Sequence, residues 1–170
     1  VEVKRAIDGV ELCVHEIGQM TGREIPMDLT AAGAGRIAFT QREPIGVVAA
    51  VSAFNHPFNL IVHQVAPAVA TGCPVLVKPA AATPLSCKAF LEILYEAGLP
   101  AEWARMVIPE THDLSTAMVA DERVGFFSFI GSSRVGWVLR SKLAPGARCA
   151  LEHGGVAPAL VAADADLSGA

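Results

Sequence analysis

Near the end of the sequence, ALEHGG (Ala150–Gly155) places a single acid, Glu152, between an apolar run and a pair of glycines. A carboxylate there is either a general base beside flexible backbone or a solvated acid closing a strand. Six residues do not decide between the two. FIGSSRVGW (Phe129–Trp137) is a second candidate, with an apolar run, then Gly131 and Ser132, then a helical pattern. A helix start offers unpaired N–H groups and partial positive charge, and a glycine lets a phosphate come close. On this stretch alone a plain serine cap at a tight turn is the simpler account. Metal chemistry has no support: Cys13, Cys73, Cys87 and Cys149 are scattered without a CxxC pair, and His56 and His63 match no zinc spacing. Thiols used this way suit a reducing cytoplasm.

The elements that would position these groups are legible from periodicity. Ala6, Val10, Cys13, Ile17 and Met20 recur at helical spacing, so a first helix is expected over Val3–Thr21 with Gly22 as its stop. Two short extended runs flank Gly33–Gly35 and suggest a hairpin whose second arm, RIAFTQRE (Arg36–Glu43), alternates in polarity until Pro44 closes it. From Ile45 the character changes. IGVVAAVSA reads as a strand buried on both faces, and PFNLIVHQVAPAVATG as a helix from Pro57 to Gly72, kinked at Pro67. Strands are then expected at Pro74–Lys78, Arg105–Pro109, Gly125–Ile130, Arg148–Glu152 and Pro158–Ala162. Helices are expected from Pro84, capped by Thr83 and ended by Gly98, then from Asp113 as cap, and over Ser132–Leu143.

Alternation of apolar strands and helices predicts an α/β fold, a Rossmann-like, mostly parallel sheet with helices on both faces, preceded by a helix (1–22) and a β-hairpin (23–44). Ligands in such sheets bind beyond the C-terminal strand ends, which singles out Phe54–Asn55, Lys78–Ala81, the loop after Pro109, Gly131–Ser132 and Glu152–Gly155. Trp137, Phe126 and Phe127 are most simply core. The 170 residues suffice for one domain with its own core. The longest apolar run, Ile45–Phe54, is too short to cross a bilayer, and the charged first residues are no signal peptide. A net charge of −4 without a Lys/Arg cluster argues against nucleic acid or an anionic membrane as partner. The abrupt close at DLSGA reads as a piece of something longer.

SAFNHPF, LVKPAAATP, FSFIGSSRVG and LEHGG occur in this order, each at an expected strand end. Together they resemble the cofactor domain of the NAD(P)-dependent aldehyde dehydrogenase superfamily, and the likeness runs from about Arg5 to Leu167 through REPIGVV, EAGLP and DADL. The resemblance implies that a Cys thiolate attacks an aldehyde, that the cofactor is NAD or NADP, and that water releases a carboxylic acid. Asn55 would donate its amide to the developing oxyanion, although an Asx turn before Pro57 is the plainer use of such a residue. Glu152 would be the general base, and its presence disfavours the acyl-CoA-forming members. Lys78 would bond the adenosine ribose, and Ser132 the pyrophosphate, with Gly131 giving access. Phe129 and Val135 would wall the cofactor pocket, Phe54 would replace a common Trp, and Gly154 would let the nicotinamide half lie close. Ser52, Ala80 and Ala81 belong to the same two motifs and are assigned to that pocket. The AFNHP and LEHGG forms resemble the branch acting on small hydroxylated or anionic aldehydes.

Several departures stand out. Ala81 occupies the place of an acid that grips both ribose hydroxyls, which opens the site to NADP. The loop IPETHDLS is not Gly-rich, and His153 stands where Leu is usual. The nucleophile would lie beyond Ala170, so the chain by itself is expected to be inactive. Residues 45–170 would then be a cofactor domain, the hairpin an oligomerisation arm, and the whole protein a homo-oligomer, a dimer or a tetramer. The alternative is a non-catalytic dinucleotide-binding module or pseudoenzyme, which would have no use for Asn55 and Glu152.

Overall fold

The structure is a computed structural model and describes residues 1–166; Leu167, the last residue of the DADL motif, and the end of the 45–170 domain lie outside the described residues. Helix α1 spans Glu2–Ile17 and turns Ala6 and Val10 toward the body of the molecule. It stops four residues before the expected Thr21 because Gly22 is not its terminator. A Cβ at Gly22 would run into the Thr40 carbonyl, so this glycine serves the close passage of the arm beside it. The arm is the expected antiparallel hairpin, but only β1 (Glu24–Ile25) and β2 (Ala38–Phe39) pair, with turns between them. Alternation in polarity did not lengthen the second strand: Thr40 still bonds Arg23, but residues 41–43 have no described strand to pair with.

The body follows the predicted alternation: β3 (Val47–Val51), α2 (Pro57–Ala70), β4 (Val75–Lys78), α3 (Pro84–Glu96), β5 (Ala104–Met106), α4 (His112–Ala120), β6 (Val124–Gly131), α5 (Ser133–Arg140) and β7 (Arg148–His153). Among the described residues the sheet has five strands in the order β5-β4-β3-β6-β7, all parallel. Proline opens α2 and α3 at the position where a missing N–H costs nothing, and α2 continues through Pro67. The cap of α4 is Thr111, with Asp113 in the first turn, where its charge suits the helix dipole equally well.

Two cores cover the two faces. Val48, Ala50, Val75 and Val77 pack under α2 and α3 against Ile61, Val62, Val65, Cys87, Phe90 and Leu91. Ala49, Val51, Phe127 and Phe129 pack with Val119 and Leu139 on the other side. Each large aliphatic side chain removed from water there contributes about 1.5–3 kcal/mol. Ala49 and Ala50 are both fully buried, as a central strand requires. Between β3 and β6 the register slips by one residue, leaving Gly125 as a bulge; Val47 pairs with Val124 but Val48 with Phe126.

Two further expectations fail. Pro158–Ala162 forms no strand: among the described residues no strand lies beyond β7, and Val156, Leu160 and Val161 stand exposed. Trp137 is not core. The inward side of α5 is Gly136 and Leu139, which turns Trp137 outward, with the Arg140 guanidinium 5.0 Å over its ring.

Candidate active site

Parallel strands end on one edge, so the register fixes which residues meet there. Val51 lies across from Lys78 on one side and from Phe129 on the other, and Phe129 across from Leu151. Ser52, Phe54 and Asn55 follow β3 at this row, Ala80 and Ala81 follow β4, Ser132 and Val135 follow Gly131 of β6, and Glu152 and Gly154 stand at the end of β7. All the candidate residues therefore share one edge of one sheet. Strand order reverses at β3, with β4 and β5 on one side and β6 and β7 on the other. The crevice of a doubly wound sheet opens at that reversal.

The β3 turn is held from both ends. Ser52 N–H donates to the Lys78 carbonyl at 3.0 Å, and its buried hydroxyl has no protein partner. Phe54 and Asn55 are exposed, and His56, the cap residue of α2, makes no side-chain cap bond. The cap comes from elsewhere: Glu2 Oε1 accepts the N–H of Phe58 at 2.8 Å and of Asn59 at 3.0 Å. Lys78 is half-buried and donates to the Pro79 carbonyl at 3.4 Å; Ala81 lies exposed in the turn leading to α3.

At the other side of the crevice the cap residue of α5 is Ser132, whose side chain makes no cap bond. The helix sits unusually close to the sheet. A Cβ at Gly136 would strike His153 Nε2 and meet the Phe129 ring at 2.8 Å, and one at Gly131 would meet that ring at the same distance. Phe129 is buried beneath both glycines and forms the floor of the helix seat, while Val135 is exposed on the first turn. His153 fills the gap between Phe129 and Trp137, with ring centroids 6.0 and 5.8 Å away, and points to the α5 face.

Glu152, one residue earlier, turns to the opposite face. It lines a cavity of about 340 Å³ with His63, Gln64, Thr71, Ser128 and Ala150. Gln64 is buried, and its amide nitrogen lies 3.2 Å from the Val51 carbonyl, 3.1 Å from the Ser128 carbonyl and 3.0 Å from Ser128 Oγ. It therefore clamps β3 to β6 where their pairing ends. Sequence reasoning missed Gln64 and Glu2. A polar residue three past Ile61 and four before Ala68, on the buried side of an apolar helix, could have flagged Gln64; no local signal marks Glu2, whose partners are 56 and 57 residues away.

The chain's other perturbed groups are not among these candidate residues. Burial pushes the Cys87 thiol up to about 12 and also raises Cys13. Arg123 hydrogen-bonds Asp121 just before β6, at the opposite end of the strands, and holds that carboxyl well below its usual range. Among the described residues no group of three His, Cys, Asp or Glu side chains is placed to hold a metal. No described helix is long and apolar enough to cross a membrane.

A reversing parallel sheet, an uncapped helix start seated on glycines, and a carboxylate at the next strand end define a dinucleotide-binding type of α/β domain. The chain belongs to the aldehyde dehydrogenase family, whose model matches residues 1–170. It is 36% identical over 166 residues to a 3-sulfolactaldehyde dehydrogenase of Priestia megaterium, covering 98% of this chain and 35% of the relative. It is 37% identical over 170 residues to a succinate semialdehyde dehydrogenase of Acinetobacter baylyi, covering 99% and 34%. The crystal structure of an NADP-dependent glyceraldehyde-3-phosphate dehydrogenase from Bacillus halodurans, complexed with NADP, superposes with a TM-score of 0.86 at 34% identity, over 98% of this chain and 35% of that one. The chain thus spans about a third of the length of these relatives.

Proposed function

We propose that the protein carrying this chain oxidises an aldehyde to its carboxylic acid with NAD or NADP. The observation that supports this most is the convergence of Asn55, Lys78, Ser132 and Glu152 on one sheet edge at the strand-order reversal. The residues present fit a dinucleotide. The α5 amides lack a side-chain cap, Gly136 seats the helix against the strand, and a Cβ at Gly154 would project into open space. The first turn of α5 with Ser132 would hold the pyrophosphate, and Lys78 the adenosine ribose. Ser52, Phe54, Ala80, Phe129, Gly131, Val135 and Gly154 would shape the pocket around them. With Ala81 in place of a carboxylate, nothing there repels a 2′-phosphate, which favours acceptance of NADP.

A bound nicotinamide dinucleotide supplies the two-electron oxidant. The chain's own residues supply the oxyanion donor and the base. Asn55 offers a neutral N–H donor to the aldehyde oxygen as a thiol adds to the carbonyl carbon and negative charge builds there. Glu152 takes a proton from water held in the adjoining cavity, and that water carries the acyl group off as the acid. Aldehyde, water and oxidised cofactor give acid, reduced cofactor and one proton. We assign no nucleophile within the chain: Cys73 and Cys87 are buried, and Cys13 and Cys149 are half-buried away from the strand ends. On this reading the fragment is inactive alone.

The relatives named for lactaldehyde, 3-sulfolactaldehyde and succinate semialdehyde support a small hydroxylated or anionic aldehyde as substrate. The exposed Ile25, Ile37 and Phe39 of the hairpin support its use as an oligomerisation arm, and four free thiols suit the cytoplasm. The test is pre-steady-state turnover of the full-length protein with Glu152→Gln. The expected result is a burst of reduced cofactor near one equivalent per site, followed by slow release of acid. Wild-type steady turnover in the variant would overturn the role of Glu152. No aldehyde-dependent cofactor reduction in the wild type would leave the dinucleotide-binding module as the better reading.

A further inference from the structure

We propose that Glu2 is a positioning residue for Asn55, acting through the first turn of α2. The inference rests on the reading of Asn55 as oxyanion donor. The amides at the start of α2 can be accounted for one by one. Pro57 has no N–H, and Leu60 N–H reaches the His56 carbonyl at 2.9 Å. Phe58 and Asn59 are the two donors left over, and His56 at the cap position supplies no side-chain acceptor. A single oxygen of Glu2 accepts both, at 2.8 and 3.0 Å. A carboxylate also suits the positive end of the helix dipole.

Glu2 reaches this place because α1 packs along α2. Ala6 is 1% exposed in the shared core, and a Cβ on Gly9 would touch His63 and Val62 at 3.7–3.9 Å, so the two helices run close together. The segment between β3 and α2 is then fixed at two points. Ser52 is tied to the Lys78 carbonyl, and the turn beginning at Pro57 is closed by Glu2. Asn55 lies between them, with its side chain exposed. Removing Glu2 leaves two unpaired N–H groups in the turn next to Asn55 and frees that end of the segment. A donor displaced by a fraction of an ångström loses much of its value to a transition state.

The test is a double-mutant cycle in the full-length enzyme: Glu2→Ala, Asn55→Ala and both together, with Glu2→Gln and Glu2→Asp as conservative variants. Readouts are kcat, the cofactor KM, and amide exchange at Phe58 and Asn59. Glu2→Ala is expected to lower kcat about tenfold, leave the cofactor KM unchanged, and speed exchange of both amides. In the Asn55→Ala background it should change kcat less than about twofold, because the group it positions is gone. Glu2→Gln, which keeps an acceptor oxygen, should recover part of the loss; it also serves if the alanine variant does not fold. An equal loss of kcat in both backgrounds would mean a general structural role and overturn the proposal, as would no loss in either. If Asn55→Ala itself keeps kcat, the oxyanion reading falls and the positioning role falls with it. Faster exchange in Glu2→Ala would then show that the error lay in Asn55 and not in the cap.

Discussion

Two helices begin at the same edge of the same sheet, and they are finished differently. The start of α2 is closed by an acid brought from the first turn of the chain, which takes both amides left over behind a proline. The start of α5 is closed by nothing from its own cap residue: Ser132 makes no side-chain cap bond, and two glycines let the helix lie against Phe129. Both ends have the same partial positive charge. The difference suits the different work that the proposed function gives them. A filled end holds its neighbours still and gains little by accepting a further anion, whereas an open end is free to receive one. In the proposed function Asn55 belongs to the first and the pyrophosphate of a dinucleotide to the second.

Asn55→Ala tests the filled end most severely. It should reduce kcat by about 10²–10³-fold with the cofactor dissociation constant unchanged; the reverse pattern would make the α2 end a binding site and erase the distinction. Gly136→Ala tests the seat of the open end. Its Cβ would strike His153 and press on Phe129 at 2.8 Å, so urea unfolding should show a loss of about 1–3 kcal/mol. Undiminished stability would mean that α5 is free to lift and that the glycine is not needed for close seating.

Ser132→Asp turns the open end into a copy of the filled one. Fluorescence titration should then show cofactor binding weakened about tenfold, while the melting temperature holds or rises slightly, since an acid at a helix start contributes about 0.3–1 kcal/mol. Unchanged affinity would place the phosphates elsewhere.

The third helix of this edge provides a control on pH. Cys87 in α3 is fully buried, and burial raises its thiol from 9.0 to about 12. The folded state therefore keeps a proton that the unfolded chain has released between these values. Stability from this group is complete below about pH 9 and declines as the pH climbs toward 12. Cys87→Ala should flatten that alkaline decline in a denaturation series, with cofactor affinity unaffected. An identical decline in the variant would assign it to other groups.

Much of this edge was legible before any coordinates. The runs at Val47–Val51 and Val124–Gly131 are apolar on both faces because helices cover both sides, and Pro57, Pro84 and Gly98 mark helix ends by local chemistry alone. That put Asn55, Lys78, Ser132 and Glu152 at strand ends. What escaped was whatever depends on a distant partner. Pro158–Ala162 has the composition of a strand but no described neighbour to pair with. Trp137 is large and apolar, yet the close seating of Gly136 turns it outward. Glu2 looks like any acid in a first helical turn until α2 is beside it. Gln64 shows its use only when β3 and β6 lie side by side.

The strand order β5-β4-β3-β6-β7 also bears on how the sheet is assembled. β3 is the first of these strands to leave the ribosome and ends at the centre. β4 and then β5 add outward on one flank, and β6 and then β7 on the other. Among the described strands every new one meets a free edge, and none has to be inserted between two that are already paired. The sheet can thus grow as the chain is synthesised, without any pairing being broken to admit a later arrival.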